Sequence, residues 1–155
     1  MIINQFIKSF RLIKERNWDK IFVAIDIHDT ILKACYYKQE TFTFFPFAKK
    51  ALRLMSHNPQ ISMILWTCSN AEALNQYIEI FKKEKIKFDY VNCNPECPST
   101  DLANFNQKFY MNVGLDDKFG FQPYIDWLLI YIFFKWEEQI KKITKYLYAQ
   151  YGKKN

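Results

Sequence analysis

The sequence predicts an α/β chain: a doubly wound parallel sheet with helices on both faces. Three observations predict it. Two apolar runs, Ile21–Ile27 bounded by charge and Ile61–Trp66, have the near-continuous hydrophobicity of strands buried on both sides. Stretches of helical spacing alternate with them, as parallel β–α–β units require. The length, 155 residues, accommodates one such domain.

Each element has a local reason. Ile2, Ile3, Phe6, Ile7, Phe10 and Ile13 fall on one side of a helix over 2–14, with Lys8, Arg11 and Lys14 opposite. That pattern fits a basic helix docked on the core, or one offered to a partner or a membrane surface. Ile21–Ile27 is the first strand. Phe47–His57 follows as a helix with Ala48, Ala51, Leu52 and Met55 inward; Pro46 suits its first turn and Asn58-Pro59 stops it. Ile61–Trp66 is the second strand. Asn70–Lys85 is a helix with Ala73, Leu74, Tyr77, Ile78 and Phe81 inward. Phe88–Val91 is a short strand, 92–107 a Pro- and Asn-bearing loop, and Tyr110–Leu115 a further strand. Tyr124–Tyr148 reads as a long, partly broken helical region, apolar first and Lys-rich later. The organisation is a single domain over 1–155: an amphipathic helix within 1–18, a core at 19–120 and a helical region at 121–155.

Composition excludes several classes. With 50% hydrophobic and 25% charged residues, the chain is neither disordered nor fibrous. Lys+Arg number 22 against 16 Asp+Glu, a net charge of +6, and aromatics reach 19%; together they raise the question of a nucleic-acid partner. Cys35, Cys68, Cys93 and Cys97 form no regular disulfide framework. Zinc at the Cys93–Cys97 pair would need two more ligands, and His28 and His57 are the only histidines. No signal-peptide pattern opens the chain, and the longest apolar run, Trp127–Phe134, is far shorter than the ~20 residues of a membrane span. A cytoplasmic protein with reduced thiols and no transmembrane segment is expected.

Ligands of parallel sheets sit at the carboxyl ends of the strands. After the first strand comes Asp26-Ile27-His28-Asp29-Thr30, and after the second Thr67-Cys68-Ser69-Asn70. Lys108 precedes the last strand, which ends in Asp116-Asp117. Brought together, these carboxylates would want a hard cation such as Mg²⁺. The amine and hydroxyl would want an anion, and a phosphate bridging metal and lysine satisfies both. Taken singly, each has a plainer reading: Asp26 as a turn cap, Lys108 as a solvated charge, Asp116-Asp117 as an acidic helix start, His28 as a satisfied buried histidine.

In order and spacing, across residues 20–118, this set resembles the haloacid dehalogenase (HAD) superfamily. That family's first motif is an apolar strand followed by DxDx(T/V), then come a Thr or Ser after a second strand, a Lys, and an acidic pair. KFYMNVGLDDK over 108–118 is especially similar to small cap-less members. The resemblance implies a three-layer Rossmann-like sheet without a large cap and Mg²⁺-dependent hydrolysis of phosphate monoesters through an aspartyl-phosphate on Asp26. It implies Asp26 and His28 as catalytic residues, and Thr67, Cys68 and Lys108 as phosphate-binding. Asp26, the His28 carbonyl, Asp116 and Asp117 would hold the metal, with Thr30 in support. His28 departs from the pattern, standing where the family has its acid/base Asp. Three readings follow: His28 does the proton transfer, with a reference pKa near 6.5 that suits a base; the substrate is activated enough to need little acid; or the site binds without turnover. The last makes the chain an interaction protein that works through its terminal helices, a partner or a second copy. A similar lysine–strand–Asp-Asp arrangement in polynucleotide 3′-phosphatases adds a nucleic-acid end as an alternative substrate.

Overall fold

The computed structural model describes residues 2–34, 42–106 and 108–151; Cys35 lies outside them. In chain order the elements are α1 (Ile2–Arg16), β1 (Ile21–Ile25), α2 (Ala48–Ser56), β2 (Ile61–Leu65), α3 (Ala71–Lys83), β3 (Tyr90–Val91), β4 (Val113–Leu115) and α4 (Pro123–Tyr151), with a 3₁₀ turn at Asp117–Phe119. The sheet order is β3-β2-β1-β4 and every pairing is parallel. β1 is therefore central, in register with β2 (Ile25↔Leu65) on one side and β4 (Ile25↔Leu115) on the other. Every residue of β1 and β2 is buried, as their unbroken apolar runs require. The parallel α/β sheet without a large cap is as the sequence predicts.

The two faces are covered differently. Ile21, Val23 and Ile25, with Ile61, Met63, Leu65, Val113 and Leu115, join one hydrophobic cluster with buried residues of all four helices. The intervening residues Phe22, Ala24 and Ile64 are buried but lie outside that cluster. Beside Phe22, Tyr110 packs edge-on at 6.3 Å, and the Phe22 N–H donates to Asn112 Oδ1 at 2.8 Å.

Boundaries shift where turn chemistry outranks hydrophobicity. β1 ends at Ile25 rather than Ile27, because the Ile27 carbonyl turns to accept from the N–H groups of Ile31 and Leu32 at 2.9 and 2.8 Å. β4 starts at Val113 rather than Tyr110. Phe47 precedes α2 at φ 66°, so Pro46 belongs to the turn before the helix rather than to its first turn. α4 is one continuous helix of 29 residues, not a broken region. At 1.5 Å per residue it is about 43 Å long. Its first half buries Trp127, Ile130 and Phe134; its second half exposes Trp136, Ile140 and Ile143. α1 docks on the core through Ile2, Phe6 and Ile13, with Phe6 edge-on to Phe134 at 5.2 Å, and leaves Lys8, Arg11 and Lys14 in solvent. Among the described residues, no helix is long and apolar enough to cross a membrane.

Candidate active site

The strand register builds the site. The ladder runs one residue past the paired ends: Asp26 N–H donates to the Leu115 carbonyl at 2.9 Å, and Trp66 N–H to the Ile25 carbonyl at 2.8 Å. Asp26 and Asp116 thus leave the sheet side by side, and the 3₁₀ turn brings Asp117 in behind them. Carboxylate oxygens of Asp26, Asp116 and Asp117 lie within 4.8 Å of one another, all three residues partly buried. Burial pushes the Asp26 carboxyl up to about 6, and the charges of Asp116 and Asp117 push the same way; the Ile27 N–H and His28 act against them. An all-carboxylate donor set of this kind fits a hard divalent cation and suits thiolate-seeking ions poorly. Lys118 already offsets part of the charge, its ammonium 2.6 Å from Asp117 Oδ2. The sequence reading passed over Lys118.

The loop after β1 is tied down at several points. Thr30 is fully buried; its Oγ1 accepts from the Asp117 N–H at 3.1 Å and its carbonyl from the Trp127 indole N–H at 2.7 Å. Thr30 therefore fixes the acidic turn to the first loop and both to α4. Asp29 sits at φ 52°, with its N–H on the Leu32 carbonyl and its Oδ1 accepting from Ala34 N–H. That left-handed residue turns its side chain into the loop. The His28 ring turns toward α3, with Nε2 2.8 Å from Tyr77 Oη and the two rings edge-on at 5.4 Å. From its spacing alone Tyr77 is an inward helix residue. Its hydroxyl partner lies 49 positions away, and only the folded register pairs them.

Thr67 is buried beyond the end of β2. Its N–H donates to Asn92 Oδ1 at 2.8 Å, its carbonyl accepts from Asn92 Nδ2 at 2.7 Å, and its Oγ1 lies 2.9 Å from Ser69 Oγ. Asn92, itself at φ 52°, is a second residue the sequence reading did not single out. Cys68 is exposed with a free thiol. Asn70 caps α3 by accepting from the Ala73 N–H. Lys108 is exposed and, among the described residues, makes no ion pair. Beside it, Phe109 packs edge-on against Trp66 at 6.2 Å, while Trp66 meets Phe119 at 5.6 Å and 33°. The segments carrying Thr67, Lys108 and Asp117 are thus joined by three aromatic rings. In a sequence with 19% aromatics nothing had marked these three.

No protein-family model and no curated protein matches the chain. Among solved structures the chain is similar to a conserved protein from Bacteroides thetaiotaomicron, with a TM-score of 0.58 and 25% identity over 76% of this chain and 92% of that one. The likeness is to a protein described only as conserved, and it supports the parallel α/β architecture.

Proposed function

We propose that the chain is a Mg²⁺-dependent phosphohydrolase of the HAD type that acts on phosphate monoesters through Asp26. The observation that carries this reading is the gathering of Asp26, Asp116 and Asp117 at the carboxyl ends of neighbouring parallel strands. Held by those three carboxylates, a magnesium ion would draw charge from the phosphate oxygens and favour the ionised form of Asp26. An Asp26 carboxylate oxygen attacks phosphorus, the bond to the leaving oxygen breaks, and that oxygen takes a proton. Water then attacks phosphorus, gives up a proton, and releases inorganic phosphate with Asp26 restored. With Nε2 engaged by Tyr77, the Nδ1 of His28 is the nitrogen left for these transfers. In this reading Thr67 and the amides of the following turn would donate to phosphate oxygens, and Lys108 would supply positive charge.

The His28–Tyr77 contact favours a second reading, a site that binds phosphate with little turnover, because it gives the imidazole a structural partner. Phosphate release from a monoester panel at pH 7 with Mg²⁺ separates the two. Activity at least about 10³-fold above Asp26→Asn is expected for a covalent nucleophile. Activity equal to that of Asp26→Asn sinks the hydrolase reading.

A further inference from the structure

We propose that Trp66, Phe109 and Phe119 form an aromatic shelf that holds a planar ring on the leaving group, so that the preferred substrate is a ring-bearing phosphate monoester. The proposal deepens the phosphohydrolase reading and rests on it for the phosphate half of the ligand.

Register places the shelf next to the reacting carboxylate. Ile25 pairs with Leu65 and with Leu115, and the ladder bonds from Trp66 and Asp26 extend both pairings by one residue. Trp66, Asp26 and Asp116 therefore form one row across three neighbouring strands, at the usual strand spacing of about 4.8 Å. The other two rings come from chain segments that also carry site residues: Phe109 follows Lys108, and Phe119 lies two positions after Asp117. Trp66 touches both, edge-on to Phe109 and nearly parallel to Phe119.

The exposure of Phe119 is the second observation. A phenyl ring held against an indole and still 69% exposed leaves most of its apolar surface in water beside charged groups. If these rings only roofed the sheet, packing them inward would lower the free energy, as Tyr110 does against Phe22. A flat ring laid on Phe119 and Trp66 would remove that surface from water. Its phosphate would then lie at Asp26, one strand away. Among the described residues no large second domain encloses the leaving group, and the shelf offers it an apolar contact.

The test uses pairs of substrates whose leaving oxygens have similar acidity. Adenosine 5′-monophosphate is set against ribose 5-phosphate, and benzyl phosphate against cyclohexylmethyl phosphate. The shelf predicts a kcat/KM at least about tenfold higher for the ring-bearing member, within the range measured for base–aromatic stacking. The first pair reports a nucleobase and the second a ring carried directly on the leaving group; a preference in either supports the shelf and identifies the source. Phe119→Ala should cut that ratio severalfold, while Trp136→Ala, which removes an equally exposed ring on α4, should keep it. Equal rates within both pairs, or a ratio unchanged by Phe119→Ala, overturn the proposal. If no monoester is turned over, calorimetry with Mg²⁺ and benzylphosphonate against cyclohexylmethylphosphonate decides separately. Tighter benzylphosphonate binding that weakens in Phe119→Ala upholds the shelf although the hydrolase reading has failed, and equal or absent binding of the two overturns the shelf.

Discussion

Two groups of aromatic rings stand in opposite circumstances in this chain. Between α1 and α4, Phe6, Phe10, Phe133 and Phe134 interlock with centroids 5.1 to 6.5 Å apart, and Phe6 and Phe134 are almost fully buried. At the strand ends, Trp66, Phe109 and Phe119 are at similar spacing, yet Phe119 remains largely in solvent. The first group holds a terminal helix onto the core, where ring area removed from water is the main stabilising term. In the second group Phe119 buries little surface, and the row of Trp66, Asp26 and Asp116 sets the rings beside the carboxylates. Aromatic content alone cannot separate these roles. What separates them is whether the surface around the ring is already used.

The largest effect should therefore come from cutting the buried group and the smallest from cutting the exposed one. Phe6→Ala leaves a cavity against Phe133 and Phe134 and is expected to cost about 3–5 kcal/mol in denaturant unfolding. Phe119→Ala is expected to stay within about 0.5 kcal/mol, the usual range for surface positions. Equal losses would mean that the shelf is structural after all and that the contrast fails.

Asp26 gives an intermediate effect with the opposite sign. Its folded pKa, about 6, lies above the ordinary value of 3.8, so ionising it in the metal-free fold is unfavourable. Between those two values the folded state keeps a proton that the unfolded chain has lost, and stability falls as pH rises. Above about 6 the whole cost is present; below 3.8 it is absent. Because the carboxyl is partly exposed, solvent screening trims the cost to about 1 kcal/mol. Asp26→Asn should thus be more stable than the wild type at pH 7.5 without metal, with the gap closing by pH 4. Added Mg²⁺ should raise the melting temperature of the wild type and leave Asp26→Asn much less affected. A variant that is less stable at pH 7.5 would show that the acidic cluster is not strained by its own charge.

How much of this was legible in the chain depends on the range of the interaction concerned. β1 and β2 were readable because both faces of each are buried, so the residues alone carry the signal. Asp26, Asp116 and Asp117 were readable because strand ends in a parallel sheet converge whatever lies between them. The shortness of β4 was not, because Asn112 at its start is held by a side-chain bond to Phe22 across 90 positions. The shelf was illegible for the same reason as the His28–Tyr77 pair: each joins residues from separate elements, and neither leaves a period or a spacing in the sequence.

The His28–Tyr77 pair yields the finest test, because it sets packing against chemistry within one contact. Tyr77 is 2% exposed and its ring lies in the core cluster, so Tyr77→Phe keeps the ring and removes the hydroxyl 2.8 Å from His28 Nε2. On stability the change should cost about 1 kcal/mol, the net value of one hydrogen bond. On turnover the outcome depends on what the bond does. If it orients His28 for proton transfer, kcat for an alkyl monoester should fall about tenfold with KM little changed, and the pH optimum should move, since loosening a general acid/base costs only part of its roughly 10²–10⁴-fold contribution. A 4-nitrophenyl ester, whose leaving oxygen needs no proton, should lose much less. Tyr77 would then be a positioning residue acting through His28. Equal losses on both esters, with an unmoved pH profile, would reduce the contact to packing and leave His28 outside the chemistry.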